Sequence, residues 1–471
     1  MIDRLLQSNP WWSLPGAIRE DPVLLRRARA RLRWTPRLVE DLDLTLPAVY
    51  TIRGPRQVGK TTAVKLMIER SLDGSQDGVL YHSFDLETEP QAIIDVVQSA
   101  RRFRPRIRRW RLFLDEVSGI RGWQKAVKWL RDNTPAAGDT LVLTGSSSLD
   151  IEAGSERLPG RRGPGTGHDR ILLPLSFSDF AGLHGIEAPT VLRAANFLSG
   201  KSHEVLLDAR LRLPALQALF ERYLRVGGFP AAVEWEAAGG GLQDETIEML
   251  WDMISAEVGR QGREPARAFR MLEQVVRSLG SRTNWTALGQ VMDASRAAAE
   301  DYATLLARTF TIVIVYRYLL DRGGPNPSAE KKIYCVDPAF AYLPGRVRRV
   351  GLIPDVPGLV ENAVMMALFR TEERPLAEQF ALPQALFYWR SASGGEVDAL
   401  AGGGAIKRRV PVEVKYQRSI DRRTLAPMRR AFGKGIVVTR DHLDLDDPEM
   451  PFVPAAIFLW LLGGETVTSG V

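Results

Sequence analysis

Apolar positions along the chain fall into two rhythms. Through the first third, short and almost wholly apolar runs at 48–52, 79–84, 112–114, 141–143 and 171–173 are separated by stretches of helical periodicity. Runs of that length without polar alternation predict strands buried on both faces, and their alternation with helices predicts a parallel α/β sheet. From about 185 to 320 the spacing becomes helical, broken by the turn at Gly227-Gly228-Phe229-Pro230. After Pro357 a helical stretch at 359–369 precedes strand-like runs at 385–389, 396–400 and 410–414, then a helix and a strand at 435–438. A second α/β region is therefore expected. The division read from these rhythms is a basic helical segment at 1–45, an α/β domain at 46–185, a helical region at 186–345 and a second α/β domain at 346–471. A length of 471 residues agrees, since domains of about 150 residues give about three.

Composition adds charge and compartment. Hydrophobic residues at 45% and charged residues at 25% exclude wholesale disorder and fibrous repeats. Basic residues exceed acidic ones by 63 to 56, a net +7, and only 10 of the 63 are lysine. The excess is arginine, which suits phosphate and equally fits an arginine-rich proteome. Cys335 is the one cysteine, so neither an intrachain disulfide nor a cysteine-built zinc site is available. The N-terminus Met1-Ile2-Asp3-Arg4 has no apolar signal core, and apolar runs such as 455–462 fall well short of the roughly 20 residues of a membrane span. A soluble cytoplasmic protein without membrane contact is expected.

The segment Gly54-Pro55-Arg56-Gln57-Val58-Gly59-Lys60-Thr61 has Walker A spacing between a predicted strand and a predicted helix. Gly54 and Gly59 let backbone N–H groups curl around phosphates, Lys60 reaches the β- and γ-phosphates, and the hydroxyl of Thr61 is offered to Mg²⁺. Arg111-Leu112-Phe113-Leu114-Asp115-Glu116 ends an apolar strand in two carboxylates, where Asp115 would join the Mg²⁺ shell and Glu116 would polarise the attacking water. The next strand ends Leu143-Thr144-Gly145-Ser146, and Ser146 either orients the lytic water or caps a helix. Beyond it, Arg161 or Arg162 reaches a neighbouring subunit's nucleotide as an arginine finger, or the loop binds phosphate; Arg161 is taken as the finger.

Gly-Pro-Arg-Gln-Val-Gly-Lys-Thr-Thr, ending in Thr62 as a further nucleotide-binding residue, the Leu-Asp-Glu strand, Leu158-Pro159-Gly160-Arg161 and Pro174-Leu175-Ser176-Phe177-Ser178-Asp179-Phe180 together resemble prokaryotic AAA-type P-loop ATPases fused to a C-terminal domain long listed as of unknown function. Tyr223-Leu224-Arg225-Val226-Gly227-Gly228, Ile333-Tyr334-Cys335-Val336-Asp337-Pro338, Leu359-Val360-Glu361-Asn362 and Glu396-Val397-Asp398 agree. The resemblance implies ATP and Mg²⁺ as ligands, and a homo-oligomer with a hexamer as one form.

Asp398, followed fifteen residues later by Glu413-Val414-Lys415, fits the acid and Glu-x-Lys pair of the PD-(D/E)XK nuclease fold. In a strand, residues i and i+2 face the same side, so Glu413 and Lys415 would project together toward Asp398. The two carboxylates would hold Mg²⁺, and Lys415 would position the attacking water. Glu361 would add an acidic contact, as in nucleases resembling Holliday-junction resolvases. The same residues also suit surface ion pairs across a hairpin, worth at most about 1 kcal/mol, and a fold persists after its activity is lost.

Seven arginines between Arg101 and Arg111, interleaved with Phe103 and Trp110, and Arg26, Arg27, Arg29, Arg31 and Arg33 on an N-terminal helix read either as solvated faces or as DNA contacts. Thr283-Asn284-Trp285-Thr286, a short helix at 287–292, a longer one at 295–307 and a strand at 310–318 follow the order of a winged helix. The function expected is ATP-driven DNA processing, with branched DNA such as Holliday junctions cut by a Mg²⁺-dependent endonuclease domain. The rival is a nucleotide-switched regulatory or scaffold ATPase that binds DNA or protein without cutting.

Overall fold

Five strands, β1 (Val49–Arg53), β2 (Gly78–Ser83), β3 (Trp110–Asp115), β4 (Thr140–Gly145) and β5 (Asp169–Ile171), pair in parallel in the order β2-β3-β4-β1-β5. This computed structural model describes residues 1–72, 78–145, 158, 160–348, 351–373, 377–404 and 406–463. Two compact units divide the chain, Met1–Leu173 and Pro174–Val471.

In the first unit the strands are apolar on both faces because helices cover both. Ile93, Val96, Val127 and Leu130 of the helices Gln91–Phe103 and Trp123–Asn133 pack with Leu80, Leu112 and Leu141 in one core. Ala63, Val64, Met67 and Ile68 of the helix Lys60–Leu72 pack with Tyr50, Ile52 and Phe113 in the other. Because β4 lies between β3 and β1, the carboxyl ends of these three strands stand side by side, which is where parallel sheets bind ligands.

The N-terminal residues cover the edge strand β2. Asn9 accepts from Tyr81 N at 2.6 Å and donates to Tyr81 O at 2.9 Å, and the indoles of Trp11 and Trp12 donate to Val79 O. A side chain thus satisfies backbone groups that an exposed edge leaves open. The helix carrying Arg26, Arg27 and Arg29 runs Pro22–Arg29 and stops there, because Ala30 is extended. Arg31 and Arg33, expected on the same helix, lie beyond its end.

The second unit holds a seven-stranded mixed sheet. Its strands are β6 (Ile312–Leu319), β7 (Gly324–Cys335), β8 (Leu386–Arg390), β9 (Glu396–Ala401), β10 (Val410–Lys415), β11 (Ile436–Thr439) and β12 (Phe452–Pro454), in the order β12-β11-β10-β9-β8-β6-β7. Helices Trp285–Val291 and Arg296–Arg308, capped by the side chains of Asn284 and Ser295, lead into the β6-β7 hairpin. That hairpin joins the later strands through the pairing of Arg317 with Tyr388. The long helix Val356–Glu372 starts at an Asp355 cap and is buried along most of its length. The apolar run at 455–462 is the helix Ala455–Leu462, and all eight of its residues are buried in this unit.

Candidate functional site

The turn between β1 and the helix Lys60–Leu72 depends on glycine. Gly54 has φ +149°, and a Cβ there would stand 2.0 Å from Leu172 O. Gln57 and Gly59 take left-handed backbone at 60° and 98°, the kind of alternation that turns successive N–H groups toward one concavity. The Lys60 ammonium is buried and folds back on this loop, donating to Pro55 O at 2.9 Å and Gly54 O at 3.2 Å. The Glu116 carboxylate stands 4.0 Å away. Burial lowers the Lys60 pKa despite the opposing charges of Glu116 and Asp115. A cation desolvated to this degree, resting on neutral carbonyls, fits an anionic ligand that would replace them with charged oxygens.

Asp115 ends β3 almost fully buried, and three hydroxyls converge on its carboxylate. Thr61 Oγ1 donates to Oδ2 at 2.9 Å, Tyr81 OH to Oδ2 at 3.1 Å, and Thr144 Oγ1 to Oδ1. Thr144 also accepts from Glu116 N at 2.9 Å. Glu116 follows with φ 53°, a left-handed conformation uncommon for a residue with a side chain. The register Ser83↔Asp115 and Ile52↔Thr144 brings Tyr81 and Thr144 to the same sheet edge. Thr61 with Asp115 offers a hydroxyl and a carboxylate to Mg²⁺, a donor set that fits a hard cation. Thr62 is half-buried in the first turn of the helix.

Of the other residues read from sequence, Ser146 lies outside the described residues. Arg161 donates through Nε to both carboxylate oxygens of Asp132, at 2.7 and 3.0 Å. Arg162 pairs with Asp169 at 3.0 Å. Sequence alone does not place Tyr81 beside Asp115, which needs the β2-β3 register, and it shows Thr144 only as one residue of its strand. An apolar strand following a Walker A helix, with a hydroxyl two residues from its end, is the signal that points to Tyr81.

The arginine block at 101–111 needs correction as a continuous nucleic-acid face. Arg101 is paired with Asp139, Arg109 donates to Thr45 O, and Arg111 donates to Leu44 O and Ser71 O. Trp110 is fully buried and unavailable for stacking on bases. β3 begins inside the block, and its parallel pairing commits these residues to the unit. Arg102, Arg106 and Arg108 remain exposed, and Phe103 is 45% exposed and stacked on Trp12.

In the second unit Glu361, Asp398, Glu413 and Lys415 converge. Asp398 N donates to Glu413 Oε2 at 3.3 Å, Val414 N to Asp398 Oδ2 at 2.9 Å, and Lys415 pairs with Glu413. A residue not foreseen, Lys332 of β7, sits among the acids. Its Nζ lies 2.8 Å from Asp398, 2.9 Å from Glu396 and 3.0 Å from Glu361. Tyr334 OH donates to the same Glu361 oxygen at 2.7 Å, and Arg282 pairs with Glu396 at 3.1 Å. Burial and then the Asp398 charge raise the Glu361 and Glu413 carboxyls, while for Lys332 burial, which lowers the ammonium, is outweighed by Tyr334 and then by Asp398, Glu361 and Glu396, which raise it. The cluster does not fit a divalent cation, because a protein cation already lies between the carboxylates. Among the described residues no three His, Cys, Asp or Glu side chains are disposed to hold a metal. Scarcity could have flagged Lys332, since it is one of ten lysines and sits beside the Ile333–Pro338 motif.

Residues 47–181 match the family described as an AAA domain, and residues 217–344 and 358–458 each match a domain of unknown function. No curated protein matches the chain. Among solved structures, a Walker-type ATPase of Pyrococcus abyssi is 14% identical, covers 69% of this chain and 95% of its own, and has a TM-score of 0.39. The ORC1 protein of Aeropyrum pernix, solved in complex with DNA, is 13% identical over 72% of this chain and 97% of its own, at a TM-score of 0.26. Cdc6p of Pyrobaculum aerophilum is 11% identical over 70% and 93%, also at 0.26. The parallel sheet, the glycine-built phosphate loop and the matched segment agree: residues 47–181 form a P-loop ATPase domain of the AAA type, and the chain continues into two domains of unknown function.

Proposed function

We propose that the first unit hydrolyses ATP and that its exposed arginines Arg102, Arg106 and Arg108 couple this cycle to DNA. The observation that carries the reading is the Asp115 carboxylate held by Thr61, Tyr81 and Thr144, with Glu116 beside it and buried Lys60 on the loop opposite. A magnesium ion held by Thr61 and Asp115 would neutralise charge on the β- and γ-phosphates. Lys60 would exchange its two carbonyl partners for phosphate oxygens, and the Gly54–Gly59 turn would surround them with N–H donors. Glu116, whose backbone N–H is held by Thr144, would take the proton of the attacking water. Phosphate release therefore disappears in Lys60→Ala, whereas Glu116→Gln still binds ATP and loses turnover by about a hundredfold or more. Hydrolysis at the wild-type rate in Lys60→Ala would overturn the assignment.

The coupling to DNA rests on Arg102, Arg106 and Arg108, exposed beside Phe103 with no carboxylate partner among the described residues. Holliday-junction cutting is not carried into this reading, because the carboxylates that would take the metal are already bound to Lys332 and Lys415. The second reading, a nucleotide switch with slow turnover, is favoured by Arg161. Its guanidinium is engaged by Asp132 of its own unit, so service at a neighbour's nucleotide requires that pair to open. DNA-stimulated phosphate release supports the coupled ATPase, and a rate indifferent to DNA supports the switch.

A further inference from the structure

Four carboxylates gather in the second unit: Glu361 from the helix Val356–Glu372, Glu396 and Asp398 from β9, and Glu413 from β10. Such a gathering in a buried place requires a counter-charge, supplied by a cation taken from solution or by a side chain. Here the chain supplies it. Lys332 is 1% exposed, and its three ammonium protons face three carboxylates within 3.0 Å. Lys415 answers Glu413, and Arg282 answers the outer oxygen of Glu396.

The surroundings also close the place. Gly280, at φ +75°, backs onto Glu361 so tightly that a Cβ would stand 2.7 Å from Glu361 Oε2. Thr283 pairs with the backbone of Lys331, N to O at 2.8 Å in both directions, which holds β7 and its Lys332 against the acids. Tyr334, on the same face of β7 as Lys332, spends its hydroxyl on Glu361. Lys332 of β7 thus answers three acids on β9 and the helix Val356–Glu372, while Glu413 is answered within β10 by Lys415.

We propose that Lys332 is the resident cation of this cluster. Its ammonium stands where a nuclease-like fold would place a divalent metal, so the site is complete without metal and does not cut phosphodiester bonds. The cluster's work is to join β7 to β9, β10 and the helix Val356–Glu372.

The test is Mn²⁺ binding to the nucleotide-free full chain, counted by electron paramagnetic resonance in wild type, Asp398→Asn and Lys332→Ala, with DNA nicking in Mg²⁺ or Mn²⁺ measured alongside. Comparison with Asp398→Asn separates this cluster from any Mn²⁺ held at Thr61 and Asp115. The expected result is an unchanged count in Asp398→Asn, one additional bound Mn²⁺ in Lys332→Ala, and intact DNA with wild type. A Mn²⁺ site or a nicking activity present in wild type and lost in Asp398→Asn overturns the proposal. So does a folded Lys332→Ala that gains no site. Should Lys332→Ala fail to fold, the wild-type and Asp398→Asn arms still decide, and Lys332→Arg, which keeps the charge, is expected to fold and to leave the Mn²⁺ count unchanged.

Discussion

Thr144 carries two tasks with one oxygen: it donates to Asp115 and accepts from the backbone of Glu116. Its hydroxyl therefore ties the Asp115 carboxylate to the backbone of Glu116, the two residues proposed to hold the metal and to activate the water. Thr144→Val keeps the shape of a buried side chain and removes both bonds. Displacement of a catalytic group by about 1 Å costs on the order of a hundredfold, so kcat should fall by roughly ten- to a hundredfold with little change in ATP binding, as read by steady-state phosphate release and nucleotide titration. An equal loss of binding would place Thr144 in the fold alone. Walker A and the Asp115-Glu116 pair were legible because their chemistry is local, a spacing of a few residues along one strand or turn. Lys332 was not, because its partner Asp398 is 66 positions away and only the pairing of sheet strands brings them together.

Elements show the same division between local and distant. Four strands of the first unit and the helix Val356–Glu372 were readable as apolar runs and helical spacing; the run at 171–173 meets the strand Asp169–Ile171 only at Ile171, and β7 was not readable. The first half of β7 is largely exposed, carries Pro325 and Pro327, and shows no apolar alternation; only its last five residues are buried. The Gly227-Gly228 turn was readable as a turn, but its reason lies in the loop ending at Asp337. Gly228 N donates to Asp337 Oδ2 at 2.8 Å and Ala339 N to Oδ1 at 2.9 Å, while Cβ atoms at Gly227 and Gly228 would stand 2.0 Å from Asp337 Oδ1 and Leu175 O. Burial pushes the Asp337 carboxyl up to about 6, against the pull of these two N–H groups. A carboxyl raised above its ordinary 3.8 contributes stability that is full below that value and is lost as pH rises through about 6. The unfolding free energy of wild type relative to Asp337→Asn should therefore decline by about 2 kcal/mol between pH 4 and pH 7. Urea unfolding of both proteins across that range checks the sign. A difference that instead grew with pH would mean that the two N–H bonds prevail over burial.

For the whole molecule the property to explain is charge, a net +7 in which arginine supplies all but 10 of the 63 basic residues. Composition alone could not separate arginines that hold the fold from arginines that meet a partner, and the structure sorts them by what they touch. Arg101, Arg109 and Arg111 are bound to Asp139 and to backbone carbonyls; Arg131 donates to Ala136 O, Asp139 O and Pro47 O. Replacing any of these removes internal bonds and should lower stability before it touches binding. Among the described residues Arg102, Arg106 and Arg108 have no carboxylate or backbone-carbonyl partner, Arg102 reaching Ser99 Oγ at 3.4 Å, and their neighbour Phe103 presents nearly half its surface. If they meet a DNA backbone, each neutralised phosphate releases counterions, and the slope of log affinity against log salt falls by about 0.9 per contact. The variant Arg102→Gln with Arg106→Gln and Arg108→Gln should then bind duplex DNA more weakly, with a salt slope smaller by about 2.7. Its basal phosphate release should match wild type, because none of the three residues touches the P-loop or Asp115. Fluorescence anisotropy over a range of salt, paired with phosphate release with and without DNA, reads both quantities on the same protein. An unchanged slope would return these arginines to the solvated surface and leave the ATPase of the first unit coupled to a partner other than DNA.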